Sequence, residues 1–496
     1  MQAINLVSLF LPTCVMTMKK LSRNDPCTCG SGKKYKQCCM AADEAAHASA
    51  EKQKLATQNQ LASWLEQGLA MHRGGQLDVA RKFYQQILEV HPEHADAQHL
   101  FGVTAHQQGD HAQAIHYIQI SLKNNPSNFF AYNNLGSSLR ESGQLLEALQ
   151  CFQQACALKT DYAEAHSNIG NVYKDMGKSD EAILAYRHAA TLNPALAEPW
   201  NNLALIYQKR KELETAIQCA ERAAALQPSL AEIHNTLGNI YKDAGENAQA
   251  ISSYQRAIAL DPQLGNALHF INVLSGQNSA QAPVTYVSKV FDDYADRFDQ
   301  HLQEVLEYQI PQMIGKELRR LRTVNTKAWR ILDLGCGTGL VAKELAPLAV
   351  QLVGVDLSEK MLLKAQARQL YHRLIKADLL SACVQETNAS YEVVTAADVF
   401  VYLGQLDGII PQVQRLLVAE GLFAFSVEAA DEVQTQEPTS QGYTLRSSGR
   451  YAHQLSYLGE LASQHGFAIL QCLPQTIRME NLQAIPGYLL IWRKLT

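Results

Sequence analysis

Small and apolar residues recur every 34 positions across residues 61–264, six times over, without an insertion or deletion. Ala80, Ala114, Ala148, Ala182, Ala216 and Ala250 hold one place in the period, and Gly68, Gly102, Gly136, Gly170, Ala204 and Gly238 another. Pro92, Pro126, Pro194, Pro228 and Pro262 close five copies, with Thr160 in the third, while Trp64, Tyr84, Tyr132, Phe152, Tyr186, Trp200 and Tyr254 fill large positions. The period divides the segment into 61–94, 95–128, 129–162, 163–196, 197–230 and 231–264. Ahead of it, residues 41–60 are mostly Ala, Glu, Lys and Gln, which predicts a solvated helical linker. Behind it, residues 265–275 predict a capping helix in a junction that runs to 282. A Gly/Gln/Asn/Ser stretch near Ser275–Pro283 marks the next boundary. From 283 to 496, strand-like apolar runs alternate with amphipathic helices, the pattern of an α/β domain.

The 34-residue period resembles the tetratricopeptide repeat (TPR), a pair of antiparallel helices whose small residues allow close approach. The resemblance implies an all-α superhelix with a concave face, because no single pair buries its own apolar stripe. Asn134, Asn168 and Asn202 share one position in three successive copies, and Asn171 and Asn239 share a second, one helical turn on. An amide side chain offers both donor and acceptor to an extended peptide. The series resembles the asparagine ladder in the repeat arm of the N-acetylglucosamine transferase that modifies Ser and Thr, which implies a protein or peptide in the groove. The alternative is that Asn is simply frequent on inner helices.

In the α/β segment, Trp329 to Leu334 reads as a buried strand, and Gly335-Cys-Gly-Thr-Gly339 as a turn into a helix over 340–348. A glycine loop at the C-terminal end of a first parallel strand is where doubly wound folds bind ligands. The third glycine comes one residue too early for the dinucleotide fingerprint, and Asp333 is foreign to it. Asp333, Gly335, Gly337 and Gly339 resemble motif I of class I S-adenosylmethionine-dependent methyltransferases. Further strands follow at Gln351–Asp356, Leu374–Asp378, Tyr391–Phe400, Gly421–Glu428, 468–478 and 488–495. The resemblance implies a Rossmann-like methyltransferase domain with S-adenosylmethionine as cofactor. Asp333 then orients the cofactor's amino group, Asp356 accepts both ribose hydroxyls, Leu357 and Met361 pack beside adenosine, and Asp378-Leu379 contacts adenine. Asp398 lies at the end of the fourth strand, beside the cofactor. Val290 to Leu302 resembles the helical cover of bacterial methyltransferases, including a group that couples TPR repeats to this domain, which puts Tyr294 and Phe298 over the cofactor.

Four of the eleven cysteines fall at Cys27, Cys29, Cys38 and Cys39, around Gly30 and Gly32 and among lysines. Four thiolates suit the tetrahedral shell of a structural zinc, and so short a segment folds at the metal's expense. Residues 18–40 resemble the SEC-C motif, the zinc-binding tail of the SecA translocase ATPase, which implies a small docking module. The remaining cysteines are scattered, as in a reducing, cytoplasmic compartment. Ile4 to Leu11 is too short for a membrane span, so residues 1–17 read as a mis-assigned start or a disordered tail, with a secretory signal the weaker reading.

A net charge of −5 offers no basic field to make nucleic acid the default partner. Asp398-Val-Phe-Val401 stands where adenine- and amide-nitrogen methylases carry Asn/Asp-Pro-Pro-Tyr/Phe, which weakens that reading too. Methyl transfer from a sulfonium asks the protein chiefly for orientation and exclusion of water. Where an acceptor needs a base, Asp398, Tyr402, Glu428, Tyr451 and His453 are the candidates. Two functions fit: a methyltransferase whose repeats recruit a protein, or which acts on a small or carrier-bound acid, and an interaction scaffold whose cofactor domain turns over weakly. The α/β segment is expected to own its core, so that a fragment begun near Ala282 folds and binds cofactor as the full chain does.

Overall fold

A computed structural model describes residues 21–304, 306, 308–322, 328–430, 441–480 and 483–496. The expectations for residues 1–17 lie outside them. The chain divides into two compact units, one ending at Leu192 and one beginning at Asn193.

In the first unit a single helix, Met40–Arg73, joins the exposed linker to the opening helix of the first repeat. Leu77–Val90 completes that pair. Pairs then follow at Ala95–Gln107 with His111–Asn124, Phe129–Glu141 with Leu145–Leu158, and Ala163–Asp175 with Ser179–Leu192. Asp110 and Asn128 each accept a bond from the backbone N–H three residues on, which ends the preceding loop and starts the helix. The glycine of each pair faces a large side chain sixteen residues later. A Cβ on Gly136 would come within 2.8 Å of the Phe152 ring, and one on Gly170 within 2.6 Å of Tyr186. The missing methyl is what lets the helices pack.

The second unit opens with Ala197–Lys209 and Leu213–Leu226, Ala231–Asp243 and Asn247–Leu260, then Gly265–Leu274. In the first of these pairs the glycine position holds Ala204 and the large position holds Ala220, both fully buried. Its turn carries Lys211 at φ 63°, where the neighbouring copies have Gly177 and Gly245.

Helices over Val284–Tyr294, Phe298–Glu304 and Ile310–Leu321 lead into the sheet. Its strands are β1 (Trp329–Leu334), β2 (Ala349–Asp356), β3 (Arg373–Lys376), β4 (Tyr391–Ala396), β5 (Leu417–Ala429), β6 (Tyr443–Leu445), β7 (Tyr451–His453), β8 (Phe467–Glu480) and β9 (Gln483–Lys494). The order β3-β2-β1-β4-β5 is parallel throughout, and β9 adds antiparallel to β5, with β8 outside it. The strands of β1, β4 and β5 are buried on both faces, as parallel strands under helices must be. The alternation of strands and helices is as the sequence implies, with three differences. The third strand ends at Lys376, because Asp378 caps the helix Leu379–Gln385 instead of extending the strand. The fourth strand ends at Ala396, not Phe400, because Asp398 turns left-handed (φ 56°) and Phe400–Tyr402 winds into a single 3-10 turn. The hairpin β6–β7 was not expected; β7 pairs with the end of β5 at Glu428 and Ala429.

The junction 265–282 is bound to the α/β segment. His269 hydrogen-bonds the Gly449 carbonyl at 2.8 Å, and Asn278 bridges the Tyr443 carbonyl and the Leu445 N–H. Ser279 meets the Tyr451 hydroxyl at 2.6 Å, and the Ala280 carbonyl accepts from Gly404 and Gln405. No helix among the described residues is long and apolar enough to cross a membrane.

Candidate cofactor cavity and metal cluster

The loop after β1 turns through three left-handed glycines, Gly335 (φ 66°), Gly337 (52°) and Gly339 (90°), a region that side chains other than glycine's rarely adopt. A Cβ on Gly337 would project into the space below the Phe298 ring, 3.7 Å away, so the bare backbone forms a cradle there. Asp356 ends β2 beside this loop. One of its oxygens accepts from the Gly337 N–H at 2.8 Å and the other from the Ser358 N–H at 2.9 Å. Burial raises its carboxyl pKa, opposed by those N–H groups.

Gly335, Gly337, Asp356, Leu357, Asp378, Leu379, Asp398 and Tyr402 line one cavity of about 1010 Å³. Its roof is the cover segment, with Tyr294 and Phe298 facing in. Acids along that segment tie it down: Asp292 accepts from the Ser358 hydroxyl, Asp296 pairs with Lys364 at 3.1 Å, and Asp299 meets Arg368 and Thr338. Asp378 accepts from the Ser381 N–H as a helix cap. Burial pushes its pKa up, but the Ser381 hydroxyl and the helix's first N–H groups outweigh that and hold it low.

Other expected residues are not brought to the cavity. Asp333 lies beneath the loop, with one oxygen bound by the Tyr371 hydroxyl at 2.6 Å and the other by Thr395 at 2.8 Å. Burial holds its carboxyl up at about 6. Gly339 faces Tyr371 and Arg368, and Met361 is wholly buried inside its helix's packing face. Glu428 is spent on Arg478 and Arg446. His453 is fully buried, bonds the Gly404 carbonyl, and is pushed down to about 4 by burial, while Tyr451 is held by Ser279. Neither lines the cavity.

The sequence reading missed His301, Tyr308, Arg450, Arg478 and Glu480, all of which line it. Arg478, sealed from solvent in β8, pairs with Asp398 at 2.9 Å and with Glu428. For Arg478 alone a signal was available, an arginine inside the expected strand 468–478, since a charge carried into a sheet demands partners; nothing in the sequence named those partners.

The four cysteine sulfurs lie within 4.8 Å of one another, with Cys29 and Cys38 at 3.4 Å and Cys38 and Cys39 at 3.8 Å. A tetrahedral zinc with Zn–S bonds of about 2.3 Å needs sulfurs about 3.8 Å apart, so the donor set fits. Left-handed Gly30 and Gly32 close the turn between the pairs.

Among the ladder positions, Asn134 bonds the His99 ring, and Asn168 donates to Asn133 at 2.9 Å. Asn171 accepts from the Tyr186 hydroxyl and Asn239 from that of Tyr254. These two amides bind one helix of a pair to the other, a correction to their expected place in the groove. Asn202 is also buried.

A family model of the methyltransferase domain matches residues 331–421, one of the SEC-C motif matches 23–41, and TPR models match stretches from 65 to 263. The chain carries a methyltransferase domain, TPR repeats and a SEC-C motif. It is 29% identical over 185 residues to malonyl-(acyl-carrier protein) O-methyltransferase of Legionella pneumophila, covering 36% of this chain and 59% of that one. It is 44% identical over 85 residues to methyltransferase-like protein 27 of Homo sapiens, 17% of this chain and 34% of the relative. Residues of the N-terminal motif are 71% identical over 28 positions to protein translocase subunit SecA of Desulforudis audaxviator, 6% of this chain and 3% of that one. The chain thus spans less than two thirds of the length of each.

Proposed function

We propose that the protein is an S-adenosylmethionine-dependent methyltransferase whose repeats recruit the acceptor or its carrier protein. The observation that carries this is Asp356, fixed by the Gly337 and Ser358 N–H groups at the wall of a roofed cavity large enough for a cofactor and a second ligand. The bare glycine backbone at 335 and 337 would admit the methionine part, Asp356 would accept the ribose hydroxyls, and Leu357 and Leu379 would flank the adenine. The bound cofactor supplies a methyl group already activated on sulfur. The chain's part is then to orient the acceptor and, with Tyr294, Phe298 and the acid-tethered cover, to exclude water. Asp333, beneath the loop, shapes it through Tyr371 and Thr395.

In this reading Cys27, Cys29, Cys38 and Cys39 hold a structural zinc, and thiols kept reduced for a metal fit a cytoplasmic protein. The segments 18–40, 61–264 and 283–496 act as docking motif, recruiting array and catalytic domain. Asn134, Asn168 and Asn202 remain the groove positions to test for peptide binding. The relatives named for O-methylation of a malonyl-carrier protein fit an acceptor delivered on a protein. A second reading, a cofactor-binding scaffold with weak turnover, draws on Asp398 and Glu428 being engaged by Arg478, which leaves neither as a base.

Calorimetry with S-adenosylhomocysteine, followed by incubation of full-length protein with labelled S-adenosylmethionine and lysate, separates these. Binding with label transfer is expected. Binding without transfer to any fraction would favour the scaffold, and no binding would reject both.

A further inference from the structure

Resting on that reading of the cavity, we infer that the methyl acceptor is a carboxylate, gripped by the guanidinium of Arg450, and that no base takes part in the transfer. The sheet order places Asp356 and Asp378 after β2 and β3, and Arg450, Arg478 and Glu480 at the β5, β7 and β8 side. From β2 to β5 is three strand spacings, about 14 Å. The cavity therefore has an acidic end suited to a nucleoside and an arginine-bearing end remote from it.

At that end the charges are unequally occupied. Arg478 takes Asp398 and Glu428, and Arg446 takes the second oxygen of Glu428 at 3.2 Å. Arg450, beside the Tyr402 hydroxyl, donates through Nη1 to Glu480 Oε2 at 2.9 Å, an oxygen that also lies 3.6 Å from Arg478. A guanidinium has five N–H donors in a planar fork matched to a carboxylate. Arg450 lines the cavity with most of that fork uncommitted to Glu480.

The lining groups also say what the acceptor lacks. An alcohol or ammonium acceptor must lose a proton, yet Asp398 and Glu480 are held by arginines. Burial raises the hydroxyl pKa of Tyr294, Tyr308 and Tyr402, so these stay protonated. His301, on the cover, has Nδ1 against the Tyr294 hydroxyl. A carboxylate arrives without a proton. One of its oxygens gives an electron pair to the methyl carbon while the carbon–sulfur bond breaks towards sulfur, so anion and sulfonium become neutral ester and thioether. Arg450 holds the other oxygen throughout.

The test uses the full-length protein, labelled S-adenosylmethionine, and malonyl-N-acetylcysteamine as a short carboxylate probe, with its carboxamide as control. Label should enter the acid and leave as methanol in mild alkali, and the carboxamide should accept about a hundredfold less. Arg450→Gln should lower kcat/KM by about thirtyfold or more, and Arg450→Lys by less, with S-adenosylhomocysteine affinity unchanged. Equal methylation of the carboxamide, unchanged turnover in Arg450→Gln, or alkali-labile label on neither the probe nor any lysate fraction would overturn the inference. Wild-type protein that binds no S-adenosylhomocysteine would instead reject the cofactor reading beneath it.

Discussion

A fragment of residues 282–496 should be far less stable than one of residues 193–496, although the α/β core is complete in both. Starting at Ala282 removes six hydrogen bonds into the α/β segment: one from His269, two through Asn278, one from Ser279, and two accepted by the Ala280 carbonyl. It also removes the His269 ring, stacked 4.8 Å from that of Tyr286. At about 1 kcal/mol net for each bond, about 6 kcal/mol is at stake, against total stabilities of about 5–15 kcal/mol. For a unit of this size that is a fall in Tm of about 12–24 °C. Thermal melts followed by circular dichroism, with and without S-adenosylhomocysteine, measure it. The product should rescue part of the loss, because the Ala280 carbonyl supports Gly404 and Gln405, next to the cavity wall at Tyr402 and Leu403. Melting temperatures within about 3 °C of each other would refute the reasoning and restore Ala282 as the boundary.

Elemental analysis of reduced protein should find about one zinc per chain, lost in Cys38→Ser with Cys39→Ser; no metal in the parent, or undiminished metal in the variant, would reject the cluster. Asp356→Ala should weaken S-adenosylhomocysteine binding by about 1.5–3 kcal/mol by calorimetry, and unchanged affinity would mean the ribose lies elsewhere. Asp333→Asn should stabilise the ligand-free fold above pH 6. The Asp333 carboxyl titrates at about 6 when folded and about 3.9 when unfolded, so its contribution is full below about pH 4 and lost as pH rises through 6. The gap of about two pH units, at about 1.4 kcal/mol each, caps the gain at about 3 kcal/mol; equal stability of parent and variant in urea melts at pH 8 would reject it.

What the sequence made legible was whatever a local rule enforces. The 34-residue period survives because each pair must bury the same stripe, and the glycine loop because its left-handed turns admit little else. Asp356 was legible from its place at a strand end. The arginine-bearing wall was not, since Asp398, Glu428, Arg450 and Arg478 arrive from four separate strand ends or turns and share no spacing. Asp333 matched its motif but sits a layer below the surface, and spacing along a chain does not report depth. Asn171 and Asn239 failed for a related reason: a shared position in the period does not say which side of the helix pair it faces, and Tyr186 and Tyr254 decide that.

The glycine-and-ring contact inside each helix pair also governs how this array can drift over generations. In most copies the small residue and its large partner fit only each other, whereas Ala204 and Ala220 meet the same two positions with two small, fully buried side chains. Passing from one solution to the other one residue at a time crosses either a void, as with Ala204→Gly alone, or a collision, as with Ala220→Tyr alone. The two positions are therefore inherited together. Recombination that breaks between copies preserves the match, while a crossover inside a helix pair joins halves that do not fit, so whole 34-residue units are the pieces this array can exchange.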